Sequence, residues 1–145
     1  MSKLQTIQKR NNLNEVHRVD VPGPGGGYHQ YYILMAGSDS SWIDQEPSAE
    51  GVEMPDSVVG YVSFQNGPRK AVESIPGVLD CDLLEIVRDR LKAFQKGEFA
   101  TRENAIALTH IEEALLWMNK RVEDRAEQNI LGTYKKGENE NEARN

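Results

Sequence analysis

From Leu108 the chain places Ile111, Leu115, Met118 and Val122 at alternating steps of three and four residues. Such spacing lays an apolar stripe along one side of a long helix and is incompatible with a strand. An earlier run, Leu84, Val87, Leu91 and Phe94, has the same steps and stops at Gly97. Thr101, followed by Glu103, predicts the cap and first turn of the second helix. Asp80 predicts the cap of the first, with Asp82 and Glu85 near its positive end, and Gly132 predicts the end of the second. A connection of about four to seven residues forces the two helices back on each other as an antiparallel hairpin.

The preceding half has a different rhythm. Tyr28 to Met35 and Val58 to Gln65 are rich in aromatic and β-branched residues and read as strands. Gly60 within the second marks a bulge or a close approach of backbone. Asn66-Gly67-Pro68 ends that strand in a turn, and Ala71 to Ile75 predicts one more short strand. Residues 1–20 fit neither period and read as a loosely held arm or a short strand. Residues 42–57 read as an irregular excursion, and the charged residues 138–145 as a tail with nothing to bury. The fold class expected is α+β: a small N-terminal antiparallel sheet region over 1–79, a helical hairpin over 80–133 and a tail over 134–145, in one compact domain.

A chain of 145 residues with 38% hydrophobic and 28% charged residues is long enough and apolar enough to bury a core. The net charge of −6 argues against binding a long phosphate backbone, yet leaves room for a compact anion held by a local cluster of Arg and Lys. No apolar run approaches the length of a membrane span, and the single Cys81 makes no internal disulfide, so a reducing, cytosolic setting is expected. His17, His29, His110 and Cys81 have no metal-ligand spacing, and no nucleophile motif is present, so neither a metal site nor a cofactor nor catalysis is expected. Pro22 to Gly27 is proline and glycine throughout; its backbone can cradle a phosphate or serve as a plain connector.

The hairpin tip concentrates recognition chemistry. Phe94, Lys96, Phe99, Arg102 and Asn104 fall within eleven residues, and folding back brings Phe94 near Asn104. An aromatic face can stack a purine and a carboxamide can read a base edge. Arg121 and Arg125, four residues apart with Asp124 between them, either clamp a phosphate or ribose or form a solvated ion-pair face.

The ordered series Phe64-Gln65-Asn66-Gly67-Pro68, Leu83-Leu84, Asp89-Arg90-Leu91, Phe94-Gln95, Arg102-Glu103-Asn104-Ala105, Glu112-Glu113-Ala114, Arg121, Asp124-Arg125 and Gly132-Thr133 resembles a phage family. That family is the helical-hairpin group of Thoeris anti-defence and anti-CBASS cyclic-nucleotide sponges, and Pro22-Gly23-Pro24-Gly25 through Tyr28-His29 is a weaker echo of it. The resemblance implies a protein that binds cyclic ADP-ribose isomers without cleaving them in the host bacterial cytoplasm. It also implies capture of cyclic di- or trinucleotides at a separate site, and a homo-oligomer, dimer or hexamer, with ligand between chains. By motif, Phe94 would stack on adenine, Asn104 would hydrogen-bond the ligand, and Arg121 and Asp124 would contact its phosphate and ribose, with Arg102 and Arg125 beside them. Arg69 and Lys96 would line the cyclic-oligonucleotide site. The rival readings are an enzyme that degrades such signals and a non-catalytic protein that only oligomerises. The sequence departs from the family at Thr101, where relatives carry cysteine, over Glu73 to Val78, and over 42–57.

Overall fold

The computed structural model describes residues 2–44 and 54–137. Most of the excursion expected over 42–57, and the tail 138–145, therefore lie outside the described residues. The chain divides into two units, Met1–Gly67 and Pro68–Asn145, so residues 68–79 group with the hairpin rather than with the sheet.

The first unit is an antiparallel meander of β1 (Ser2–Lys3), β2 (Asn14–Arg18), β3 (Gln30–Met35) and β4 (Val58–Ser63), in that order across the sheet. The first twenty residues thus supply two strands. Their period was hidden because the inward positions of β2 are polar: His17 is 3% exposed, and Glu15, two residues away, shares its face. The register aligns His17 with Tyr32 and Tyr32 with Tyr61, while Glu15 faces the fully buried Leu34. Trp42, in a single 3-10 turn at Ser41–Asp44, closes on this face with its ring centroid 5.5 Å from that of Tyr32. On the opposite face Tyr31 meets Phe64 edge-on at 5.7 Å. Gly60 fulfils both expectations set by its position. Ile33 pairs with Gly60 and Leu34 with Val58, so Val59 is the extra residue of a bulge. A Cβ on Gly60 would stand 3.2 Å from Ile33 Cδ1.

The glycine-rich loop is tied down. The Asp20 carboxylate accepts the backbone N–H groups of His29, at 3.0 Å, and Gln30, at 3.3 Å, and its Oδ2 lies 3.3 Å from His29 Nδ1. Within the loop, Gly23 N–H donates to the Gly27 carbonyl and Gly26 N–H to that of Gly23, both at 2.9 Å. Two of its amides are therefore used internally.

In the second unit, the strand expected over Ala71 to Ile75 does not form. Ala71 N–H instead bonds the Pro68 carbonyl and Ser74 N–H that of Ala71, so the segment is a pair of turns. Helix α1 runs over Asp80–Gln95 and α2 over Arg102–Glu127. Leu79, not Asp80, takes the cap position of α1; Asp82 reaches back to accept the Leu79 N–H at 2.8 Å. Thr101 caps α2 as expected, its hydroxyl accepting the Asn104 N–H at 3.0 Å. Helix α2 ends at Glu127, short of Gly132, because Asn129 turns the chain at φ 57° and Arg125 holds the segment beyond.

The helices form the antiparallel hairpin. Arg88 on α1 donates Nε–H to Glu112 on α2 at 2.9 Å and pairs with Glu85 at 3.2 Å. No residue of α1 is buried, and in α2 only Arg125 is. The stripe from Leu108 to Val122 is thus only partly covered among the described residues; Val122 stays 43% exposed.

Candidate ligand-binding surface of the hairpin

The tip is closed by a side chain. Gln95 donates Nε2–H to the Thr101 carbonyl at 3.0 Å and accepts the Thr101 N–H on Oε1 at 3.1 Å. Both ends of the carboxamide act as a backbone rung would, joining the last residue of α1 to the cap of α2. Lys96 N–H bonds the Ala93 carbonyl and Gly97 N–H the Phe94 carbonyl, at 3.2 and 3.1 Å. Phe94 and Asn104 are consequently held from both sides of one rigid turn.

Phe94 is 38% exposed, and the Arg90 guanidinium sits 5.1 Å from its ring centroid. A base that stacks on Phe94 takes the ring face away from Arg90 or displaces a contact worth about 0.5–1 kcal/mol. Asn104 is half-buried, and its carboxamide has no hydrogen-bond partner among the described residues. Arg102, the first residue of α2, is exposed. A cation there opposes the helix macrodipole by ~0.3–1 kcal/mol, a cost that a bound anion would reverse.

The remaining expected residues are elsewhere. Helix rise puts Arg121 about 25 Å along α2 from Asn104. Arg121 is exposed; Asp124 is half-buried and accepts from Lys120 at 2.7 Å, a bond that raises the lysine above its ordinary pKa. Arg125 departs from the expected clamp. It is 6% exposed, and its guanidinium donates to the carbonyls of Lys135 at 2.9 Å, Thr133 at 2.8 Å and Ile130 at 3.1 Å. In this chain it fastens the segment that follows α2, and it does not share the exposed face with Arg121. Arg69 and Lys96 are likewise not brought together. Arg69 is next to Lys70, whose N–H bonds the Gly132 carbonyl at the foot of the hairpin, whereas Lys96 caps α1 at the tip. The length of α1, ~24 Å, lies between those two ends.

A groove of about 460 Å³ runs between the helices, lined among others by Cys81, Arg88, Glu112, Leu115, Met118 and Val122. Among the described residues no group of three or more His, Cys, Asp or Glu is placed to hold a metal ion, and no helix is long and apolar enough to cross a membrane. The sequence reading did not single out Arg90, although its i, i+4 spacing to Phe94 is visible, nor Gln95, whose role depends on the turn it closes.

A short antiparallel sheet followed by a long helical hairpin with an aromatic and polar tip defines an α+β hairpin-domain protein. The Acb2/Tad1 hairpin-domain family matches residues 57–123, a span that holds Arg69, Phe94, Lys96, Arg102, Asn104 and Arg121 and stops before Asp124. The chain is 36% identical over 116 residues to Thoeris anti-defense 1 of Bacillus phage SBSphiJ7, covering 74% of this chain and 80% of that relative. It belongs to this family of phage anti-defence proteins.

Proposed function

We propose that the protein is a phage anti-defence sponge: it binds a cyclic nucleotide immune signal, of the cyclic ADP-ribose type, and holds it without cleaving it. The observation that carries this reading is a preorganised tip that leaves Phe94 38% exposed and the Asn104 carboxamide without a hydrogen-bond partner among the described residues. A sponge that outcompetes a receptor needs nanomolar binding, about −12 kcal/mol. One base stack supplies ~1–3 kcal/mol and each charge-assisted hydrogen bond ~1.5–3 kcal/mol, so several groups must converge in a dry site.

No single hairpin can converge them, since Asn104 and Arg121 are about 25 Å apart on one rigid helix. Two chains can. In an antiparallel two-fold pairing of α2 helices, Arg121 and Asp124 of one protomer come opposite Phe94 and Asn104 of the other, and the second site is generated by the same symmetry. The same reasoning joins Arg69 of one chain to Lys96 of another in a site for cyclic di- or trinucleotides, in a dimer or hexamer. The setting is the host cytoplasm, where the signal is made.

Calorimetry against cyclic ADP-ribose isomers and cyclic dinucleotides tests the reading, with the ligand then released by heat and weighed. Nanomolar binding and an unchanged ligand mass are expected, with F94A and N104A each losing tenfold or more while circular dichroism stays that of wild type. R69A with K96A should weaken only cyclic-oligonucleotide capture; equal loss of both ligand types would mean one shared site. No binding across the panel refutes the proposal, and a ligand of altered mass makes the protein an enzyme.

A further inference from the structure

We infer that Trp117 is a second stacking residue of the ligand site, covering the purine from the protomer that supplies Arg121. The inference rests on the sponge reading and extends it to a residue outside the expected set. Trp117 is 72% exposed, against the partly covered stripe from Leu108 to Val122 on the same helix. It does not belong to that stripe: at 100° per residue its side chain departs about 100° or more from Ile111, Leu115, Met118 and Val122. It shares its face instead with Arg121, at i+4, and Asp124, at i+7. Among the described residues the indole has no ring or cation partner, and its N–H has no acceptor. The other tryptophan, Trp42, has both: it packs on Tyr32 and donates to the Asp39 carbonyl at 2.8 Å.

An indole followed one turn later by a guanidinium and one further turn later by a carboxylate is a surface matched to a nucleotide. The flat ring takes the base, the cation takes a phosphate, and the carboxylate accepts from a ribose hydroxyl. Side chains four apart on a helix are about 5–6 Å from each other, close enough for one nucleoside phosphate to touch both. In the antiparallel pairing proposed above, Arg121 comes opposite the Phe94 tip of the other chain. Trp117 is one turn inside it, so a purine resting on Phe94 is closed from the other side by the indole.

The W42F variant leaves Trp117 as the sole tryptophan and makes it a reporter. Titrated with cyclic ADP-ribose isomers, its emission should be quenched along the calorimetric isotherm. W117A should bind at least tenfold more weakly and W117F within about threefold of wild type, with the assembly mass by light scattering unchanged in both. If W42F misfolds, the difference in emission between wild type and W117F reads the same signal. Calorimetric binding with unquenched Trp117 emission, or W117A binding as tightly as wild type, overturns the inference and leaves the sponge reading intact. A W117A protein of altered assembly mass also overturns it, placing the indole in a protein interface. Wild-type protein that binds no member of the panel sinks the sponge reading and this inference with it.

Discussion

Replacing Arg125 with alanine separates the architecture of the hairpin from its recognition surface. Its guanidinium is the fastening for residues 130–135, with three carbonyls on two nitrogens at 2.8–3.1 Å. A hydrogen bond from a charged donor contributes ~1.5–3 kcal/mol, so three set a ceiling near ~4.5–9 kcal/mol. Two of the three carbonyls are only partly buried and regain water once the segment peels away, which brings the expected loss to roughly 2–4 kcal/mol. For a chain of this size that lowers the melting temperature by about 5–15 °C. The assay is thermal and urea unfolding followed at 222 nm at one fixed protein concentration, with hydrogen exchange over 128–137. R125A should lose exchange protection across that segment, and R125K should recover only a fraction, because an ammonium lacks the planar fork. R102A, at the exposed tip, should leave exchange over 128–137 as in wild type and stability within ~1 kcal/mol of it. If R125A melts with wild-type protein and its 130–135 amides exchange no faster, the fastening role is wrong.

Two glycines of one loop should behave in opposite ways. A Cβ on Gly23 would overlap His29 Cε1, so G23A must push the imidazole away from Asp20, at a cost of ~1–3 kcal/mol in urea unfolding; G25A enters open space and should stay within ~0.5 kcal/mol. Similar values for both would refute this packing. Glu15 gives a pH signature. The Gly37 N–H, then Lys3 and His17, lower its pKa from 4.5 to about 2. A depressed folded-state pKa contributes stability that is fully present above the unfolded value and is lost as pH falls through the folded one. The E15Q variant should therefore flatten the decline in stability between pH 4.5 and 2, measured by circular dichroism; an unaltered slope would remove Glu15 from the cause.

The hairpin was legible because its signals are local. Steps of three and four, the Thr101 cap and the Gly97 stop act within one or two turns, and each stands where expected. Strands β3 and β4 and the Gly60 bulge were legible for the same reason, from β-branched and aromatic runs broken by one glycine. Strand β2 was not, because a buried histidine and a tethered carboxylate occupy the positions where an apolar alternation would have shown. Nor was the 71–75 segment, whose turn hydrogen bonds outweighed its strand-like composition. At the site, the places of Phe94 and Asn104 on either side of the tip follow from the short connection alone. The commitment of Arg125 could not, since its acceptors are backbone carbonyls whose position depends on where α2 stops.

The carboxamide of Gln95 spans the hairpin tip in place of main-chain rungs. Every residue from Lys96 to Ala100 is exposed, and the bridge between the two helix ends is made by the Gln95 carboxamide and the Thr101 backbone, not by their side chains. The tip is thereby uncoupled from its own composition. Glu98, Phe99 and Ala100 can therefore be rewritten while the frame that joins the two helix ends stays put. A change at Gln95 removes the bridge itself.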